Sequence, residues 1–130
     1  MKAPSAFVVA SGLVIDEVGP THVSAHADFG PDQHTDEGVV HGGVYATIVE
    51  AVAGAGATAA VTDRGQFSVG VHNATDFLRS ISSGRALITG DALHQGRTQQ
   101  LWEVVITAEA TGKVLARGQL RLQNISRSAD

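Results

Sequence analysis

From Gly38 to Thr62 the chain reads GVVHGGVYATIVEAVAGAGATAAVT, a long apolar run in which the only charged residue is Glu50. Between Val44 and Val61 its apolar residues recur at helical spacing, with Tyr45, Ile48, Val49, Val52, Gly56 and Ala59 on one stripe that predicts packing against a sheet. The opposite side carries Ala46, Glu50, Ala53, Gly54, Ala57 and Val61, which are small where a surface helix would show long polar side chains. A helix apolar all round is buried all round. The second face is therefore expected to meet another body, most simply a second copy of the chain. An ionised carboxylate in the middle of such a face is costly unless something compensates, which makes Glu50 a site candidate. The plainer alternative is a Glu that reaches past its alanine neighbours to water or to a structural Arg.

His41-Gly42-Gly43 opens the helix after the extended pair Val39-Val40. Two glycines leave the first backbone N–H groups unobstructed, able to hold an anion or a developing oxyanion with help from the helix dipole. A tight turn with close backbone packing explains the same glycines equally well. Gly42 and Glu50 are eight residues apart, so at 1.5 Å per residue about 12 Å of helix separates them. One reacting carbonyl does not span that distance. If both groups act on it, Glu50 of one chain faces Gly42 of another across two antiparallel helices.

The HGG motif followed nine positions later by a helix Glu, together with HNATDFLR (72–79), HQGRT (94–98) and ARGQLRLQN (116–124), resembles the hot-dog-fold acyl-CoA thioesterases. The likeness is to the 4-hydroxybenzoyl-CoA thioesterase of the Arthrobacter type and to PaaI-like enzymes, and the C-terminal motif is similar to actinobacterial members. The resemblance implies an α+β fold, with an antiparallel sheet wrapped around one long central helix. It also implies that the Gly42 N–H polarises a thioester carbonyl while Glu50 of the neighbouring subunit acts as nucleophile or general base. His41, Gly43 and Thr35 would line the substrate site, Asn73 would orient the helix start or line the pocket, and Arg79, Arg97 and Thr98 correspond to positions that contact the nucleotide and phosphates of coenzyme A. A side chain bonded to nearby backbone is the plainer alternative for Asn73, and a solvated turn with an ordinary surface Arg for the basic positions. Two positions depart from the Arthrobacter pattern: Thr35 stands where a Gln helps place the thioester, and Gly54 where a Thr hydroxyl helps hold the attacking water. Gln33 or His34 would replace the missing Gln after a small loop shift. Coenzyme A enters as part of the substrate, and no separate cofactor or metal is expected.

The rest of the chain supports one domain over residues 1–130: 130 residues with 43% apolar content and few aromatics suit a single modest core. Phe7–Val18 and Thr21–Phe29 read as a hairpin broken at Gly19-Pro20, and Gly30–Glu37 as a polar loop able to wall a pocket. Asp63-Arg64-Gly65 ends the helix. Four strands follow, at about Phe67–Leu78, Gly84–His94, Thr98–Ala110 and Lys113–Gln123. A net charge of −4, with no basic run, argues against a nucleic-acid partner. The absence of cysteine excludes disulfides and thiolate metal sites. His22 and His26 form an H-x3-H pair, but on an alternating strand and without an HExxH Glu. Lys2 and the apolar residues after it superficially resemble a signal peptide, which Ser11, Gly12 and Asp16 interrupt. No run is read as approaching a membrane span of ~20 apolar residues, so the expectation is a soluble, cytoplasmic homo-oligomer, dimer or tetramer.

Three functions stay open at this level. The first is an acyl-CoA or aryl-CoA thioesterase. The second is a hydratase or dehydratase on the same fold, although the loop lacks the H-x-PG-x-P pattern. The third is a non-catalytic acyl-CoA binder, kept open by Thr35 and Gly54.

Overall fold

A computed structural model describes residues 3–128; Lys2, the charge in the signal-like reading, lies outside them. In chain order the elements are α1 (Ala6–Ala10), β1 (Leu13–Val18), β2 (His22–Phe29), α2 (Gly42–Val61), β3 (Gln66–Phe77), β4 (Gly84–Gln95), β5 (Gln99–Ala108) and β6 (Val114–Ser126). The strands form one sheet in the order β1-β2-β4-β5-β6-β3, with every neighbouring pair antiparallel. β1 and β3 are its two edges. Helix α2 touches all six strands, so the sheet curls around it as the hot-dog expectation requires.

Alternation produces the dry face. Val23, Ala25, Ala27 and Phe29 of β2 are buried while His22, Ser24, His26 and Asp28 point away, and Ala116, Gly118, Leu120 and Leu122 repeat the pattern on β6. Glycines close the turns as read, with Gly65 at φ 69°, Gly84 at φ 121° and Gly112 at φ 72°, where a side chain would be strained.

Three sequence expectations need correction. Phe7–Val18 is not strand throughout: Ser5 caps a short helix by accepting from the Val8 N–H, and Gly12 at φ 84° turns the chain before β1 begins at Leu13. The helix faces also divide differently. Tyr45, Ile48, Val49, Val52 and Gly56 face the sheet as read, but Ala53, Ala57 and Val61 are buried within the same chain and Ala59 is exposed. A sheet that curls around a helix covers a wider arc than an amphipathic stripe, and the row left partly uncovered includes Ala46, Thr47, Glu50, Ala51, Gly54 and Ala55. Thirdly, Gly42–Arg64 does have the length and composition of a membrane span. Here it is the clasped core helix, with Ile48, Val49, Val52, Ala53 and Ala57 fully buried against the sheet.

Candidate active site

The helix entrance is built from the loop before it. Gln33, buried, donates from Nε2 to the Ala10 carbonyl (2.9 Å) and accepts the Gly30 N–H at Oε1 (3.0 Å), which pins the loop to α1. The backbone of the loop then receives the His41 N–H at the Gln33 carbonyl (2.8 Å). His41 is the cap of α2: its Nδ1 accepts the Gly43 N–H at 2.9 Å, and its carbonyl accepts the Val44 N–H. That leaves the Gly42 N–H, which has no hydrogen-bond partner among the described residues. Of the two glycines the sequence marked, Gly42 therefore carries the open donor. It also carries the close packing, because a Cβ there would stand 2.5 Å from the Phe77 ring.

Thr35 is committed to its own loop, with its hydroxyl accepting the Glu37 N–H (3.2 Å) and its N–H bonded to Val39. His34 donates Nε2–H to the Ser82 carbonyl. Gln33 and His34 do line a cavity of about 350 Å³ with His41 and Gly43, so the loop forms a pocket wall as expected. Both side chains are nonetheless already engaged within the loop and its contacts.

Glu50 lies two turns further along. It is exposed within the single chain, on the face expected to meet a second copy, and the ion pairs of the described residues belong to His22, His26 and Arg85. Its cleft, about 470 Å³, is lined by Phe7, Val8, Ala46, Thr47, Ala51 and Asn73. Asn73 both lines this cleft and holds the helix, donating from Nδ2 to the Ala46 carbonyl (3.0 Å) while its Oδ1 accepts from Thr75 (2.6 Å).

The residue that sequence reasoning missed is Gly70. A Cβ there would stand 3.2 Å from Cδ and Oε2 of Glu50 and 3.3 Å from Leu120, so the glycine makes room for the carboxylate. The β3–β6 register shifts between Gly70 and His72, a bulge beside the carboxylate. An isolated Gly inside a strand pattern was the available signal. Gly70→Val is expected to lower kcat at least tenfold by pushing Glu50 aside, with a secondary-structure content like that of wild type; steady-state kinetics and circular dichroism check it.

The basic positions do not converge in one chain. Arg79 lines two cavities, one shared with Gly42, Tyr45 and Phe77, the other with Arg85 and Lys113. Arg85 is held by Asp28 through two bonds (2.8 and 3.0 Å), which keeps the Asp28 carboxyl below its ordinary range. Arg97 and Thr98 follow the far end of β4, whose 12 residues extend over about 36 Å at roughly 3.3 Å per residue. Their turn is tied down by Asn124, whose Nδ2 donates to the Arg97 carbonyl (3.2 Å). The H-x3-H pair is likewise split, since His22 meets Asp91 (2.6 Å) and His26 meets Asp16 (2.8 Å).

Residues 37–115 match the Thioesterase superfamily profile, more than half of the chain. The chain belongs to that superfamily. It is 48% identical over 116 residues to the "Putative esterase Rv1847" of Mycobacterium tuberculosis, covering 88% of this chain and 82% of the relative. The solved structure of that protein superposes with a TM-score of 0.90 at 46% identity, covering 95% of this chain and 99% of the other. The proofreading thioesterase EntH of Cronobacter sakazakii is 32% identical over 98 residues, covering 75% of this chain and 71% of EntH. Mouse acyl-coenzyme A thioesterase 13 is 34% identical over 92 residues, covering 68% and 63% of the two chains. This thioesterase is thus a thioester hydrolase on the hot-dog fold, and its open N–H at Gly42 and free carboxylate at Glu50 are groups that thioester hydrolysis can use.

Proposed function

We propose that the protein hydrolyses acyl-CoA or aryl-CoA thioesters, in the manner of the Arthrobacter-type and PaaI-like enzymes, at a site shared between two copies of the chain. The observation that carries this is the pairing of two unused groups in separate cavities of one chain: the Gly42 N–H beside Phe77 and the Glu50 carboxylate beside Gly70. About 12 Å of helix divides them, so a single carbonyl meets both only if they come from different copies. β3 is an uncovered edge strand of 12 residues on the Glu50 side of the helix. Two copies joined edge to edge about a two-fold axis would lay their helices antiparallel and bring each Glu50 toward the other's helix entrance. The same operation carries Arg97 and Thr98 of one copy toward Arg79 of the other, a basic cradle for the phosphates of coenzyme A.

In the general-base form of the reaction Glu50 takes a proton from water as the oxygen attacks the carbonyl carbon. The C=O electron pair moves onto oxygen, where the Gly42 N–H and the positive end of α2 hold it. When the pair returns, the C–S bond breaks and the thiolate leaves with the proton from Glu50, giving a free acid and coenzyme A. In the nucleophilic form Glu50 attacks first and water releases the mixed anhydride. Water that attacks the Glu50 carbonyl carbon of the anhydride leaves its oxygen in Glu50 and releases the acyl carboxylate, so label in Glu50 after one turnover in ¹⁸O-water identifies that route, which the general-base form never produces. The experiment for the reading as a whole is thiol release from a panel of acyl- and aryl-CoAs: turnover of at least one supports it. Tight binding with no thiol release points instead to a binder, and an enoyl absorbance change without thiol release to a hydratase.

A further inference from the structure

Tyrosine hydroxyls buried in a protein almost always find a partner. Tyr45 is an exception: it is 2% exposed, and its hydroxyl bonds to nothing among the described residues. The ring is held edge-on by Phe29 (centroids 5.9 Å) and flanked by Phe77 (6.1 Å). Tyr45 stands three residues after Gly42, and a helical side chain slants back toward the N-terminus, so the phenol runs toward the first turn. It lines the same cavity, about 350 Å³, as Gly42. Two residues with unspent donors, one backbone and one phenolic, therefore line one space at the positive end of a helix of 20 residues, with the phenolic oxygen itself buried behind the cavity wall. Burial also pushes the phenol above its ordinary pKa, so it keeps its proton at neutral pH.

We infer that Tyr45 is a further catalytic residue, whose O–H donates to the same thioester carbonyl oxygen that the Gly42 N–H polarises. This rests on the hydrolase reading above and deepens it. The phenol transfers no proton. It holds the oxygen while the C=O electron pair resides there and releases it when the C–S bond breaks. A donor left unpaired in the free enzyme and satisfied only by a developing oxyanion favours the transition state over the ground state. It also gives a role to a hydroxyl that stands where the surrounding aromatic cluster would accept Phe.

Tyr45→Phe deletes that oxygen alone. The expected result is a fall in kcat of roughly 10²-fold with KM little changed, and a melting temperature equal to or above that of wild type, since an unsatisfied buried hydroxyl is lost. A hydroxyl with a structural partner predicts the reverse, a lower melting temperature with kcat kept. A second measurement is independent of turnover. Wild type should bind a CoA trifluoromethyl ketone, whose hydrate presents an oxyanion like that of the transition state, more tightly than the matching thioether, which lacks that oxygen, and Tyr45→Phe should shrink that preference. A kcat within about twofold of wild type, or an undiminished ketone preference, overturns the inference. If wild type releases no thiol from any thioester, the hydrolase reading fails, while the ketone comparison still decides the role of Tyr45.

Discussion

Glu50→Ala is expected to lower kcat about 10³-fold with little change in melting temperature, the magnitude of losing a positioned acid-base group. The fold should not notice, because the carboxylate is exposed within the chain and Ala is a better helix former than Glu. Glu50→Gln should lose nearly as much, since it keeps the shape and removes the basicity. The sharper version tests the shared site. Pro is tolerated at the first helical position, so Gly42→Pro deletes the open N–H, and Phe77→Ala in the same chain clears the ring that would strike the added carbons. Each protein alone should be nearly inactive. Mixed in equal amounts under conditions of subunit exchange, half of the dimers pair one chain of each kind. Each such dimer holds one intact Glu50 opposite one intact Gly42, so about a quarter of wild-type activity should return. A site contained in one chain predicts no recovery at all, and that result would sink the shared-site proposal.

The two ends of that site were legible to different degrees. Glu50 stood out because a single carboxylate in a long apolar run has no local explanation, and the entrance at Gly42 because paired glycines after extended residues mark a helix start. Helical rise alone separated them by more than a carbonyl's reach. The sequence does not distinguish Gly42 from Gly43, since that depends on which N–H the His41 ring accepts. Gly70 was hidden for a related reason: its role is to leave space for a side chain twenty residues earlier, and alternation along a strand does not report what lies above it. Tyr45 was placed on the correct stripe, but its missing hydrogen bond is a property of its neighbours.

Strands and turns are legible in the sequence because a half-buried antiparallel sheet imposes period two and its turns need glycine. α1 is not legible in the sequence because its five residues, Ala6–Ala10, are too few to show helical periodicity, and local capping by Ser5 outweighs the strand preference of Val8 and Val9. The burial of Ala53 and Ala57 follows from curvature. The sheet comes close enough for Val49 to sit against Gly118 and Val52 against Gly90, and small residues on the flanks of α2 allow the strands to close over it.

That closure rests on a few contacts, and the largest stability effect is expected at one of them. Trp102 is fully buried, its ring lies over Gly56, and its Nε1–H donates to Gln100 Oε1 (2.9 Å), which in turn anchors the helix by donating from Nε2 to the Ala57 carbonyl (3.0 Å). Trp102→Ala removes the packing and one arm of this network, and should cost about 3–5 kcal/mol in urea unfolding. Gly56→Ala tests the same contact from the helix. Helix propensity alone predicts a gain of about 1 kcal/mol, but the added carbon collides with the Trp102 ring and stands 2.8 Å from Val23. Overpacking of about 1–3 kcal/mol should win, and the protein should be destabilised. Gly54→Ala, where a Cβ meets nothing in the chain, should keep the propensity gain if water covers that row. A loss at Gly54 that grows with protein concentration would mean that a second helix rests there, because only contacts between copies respond to mass action.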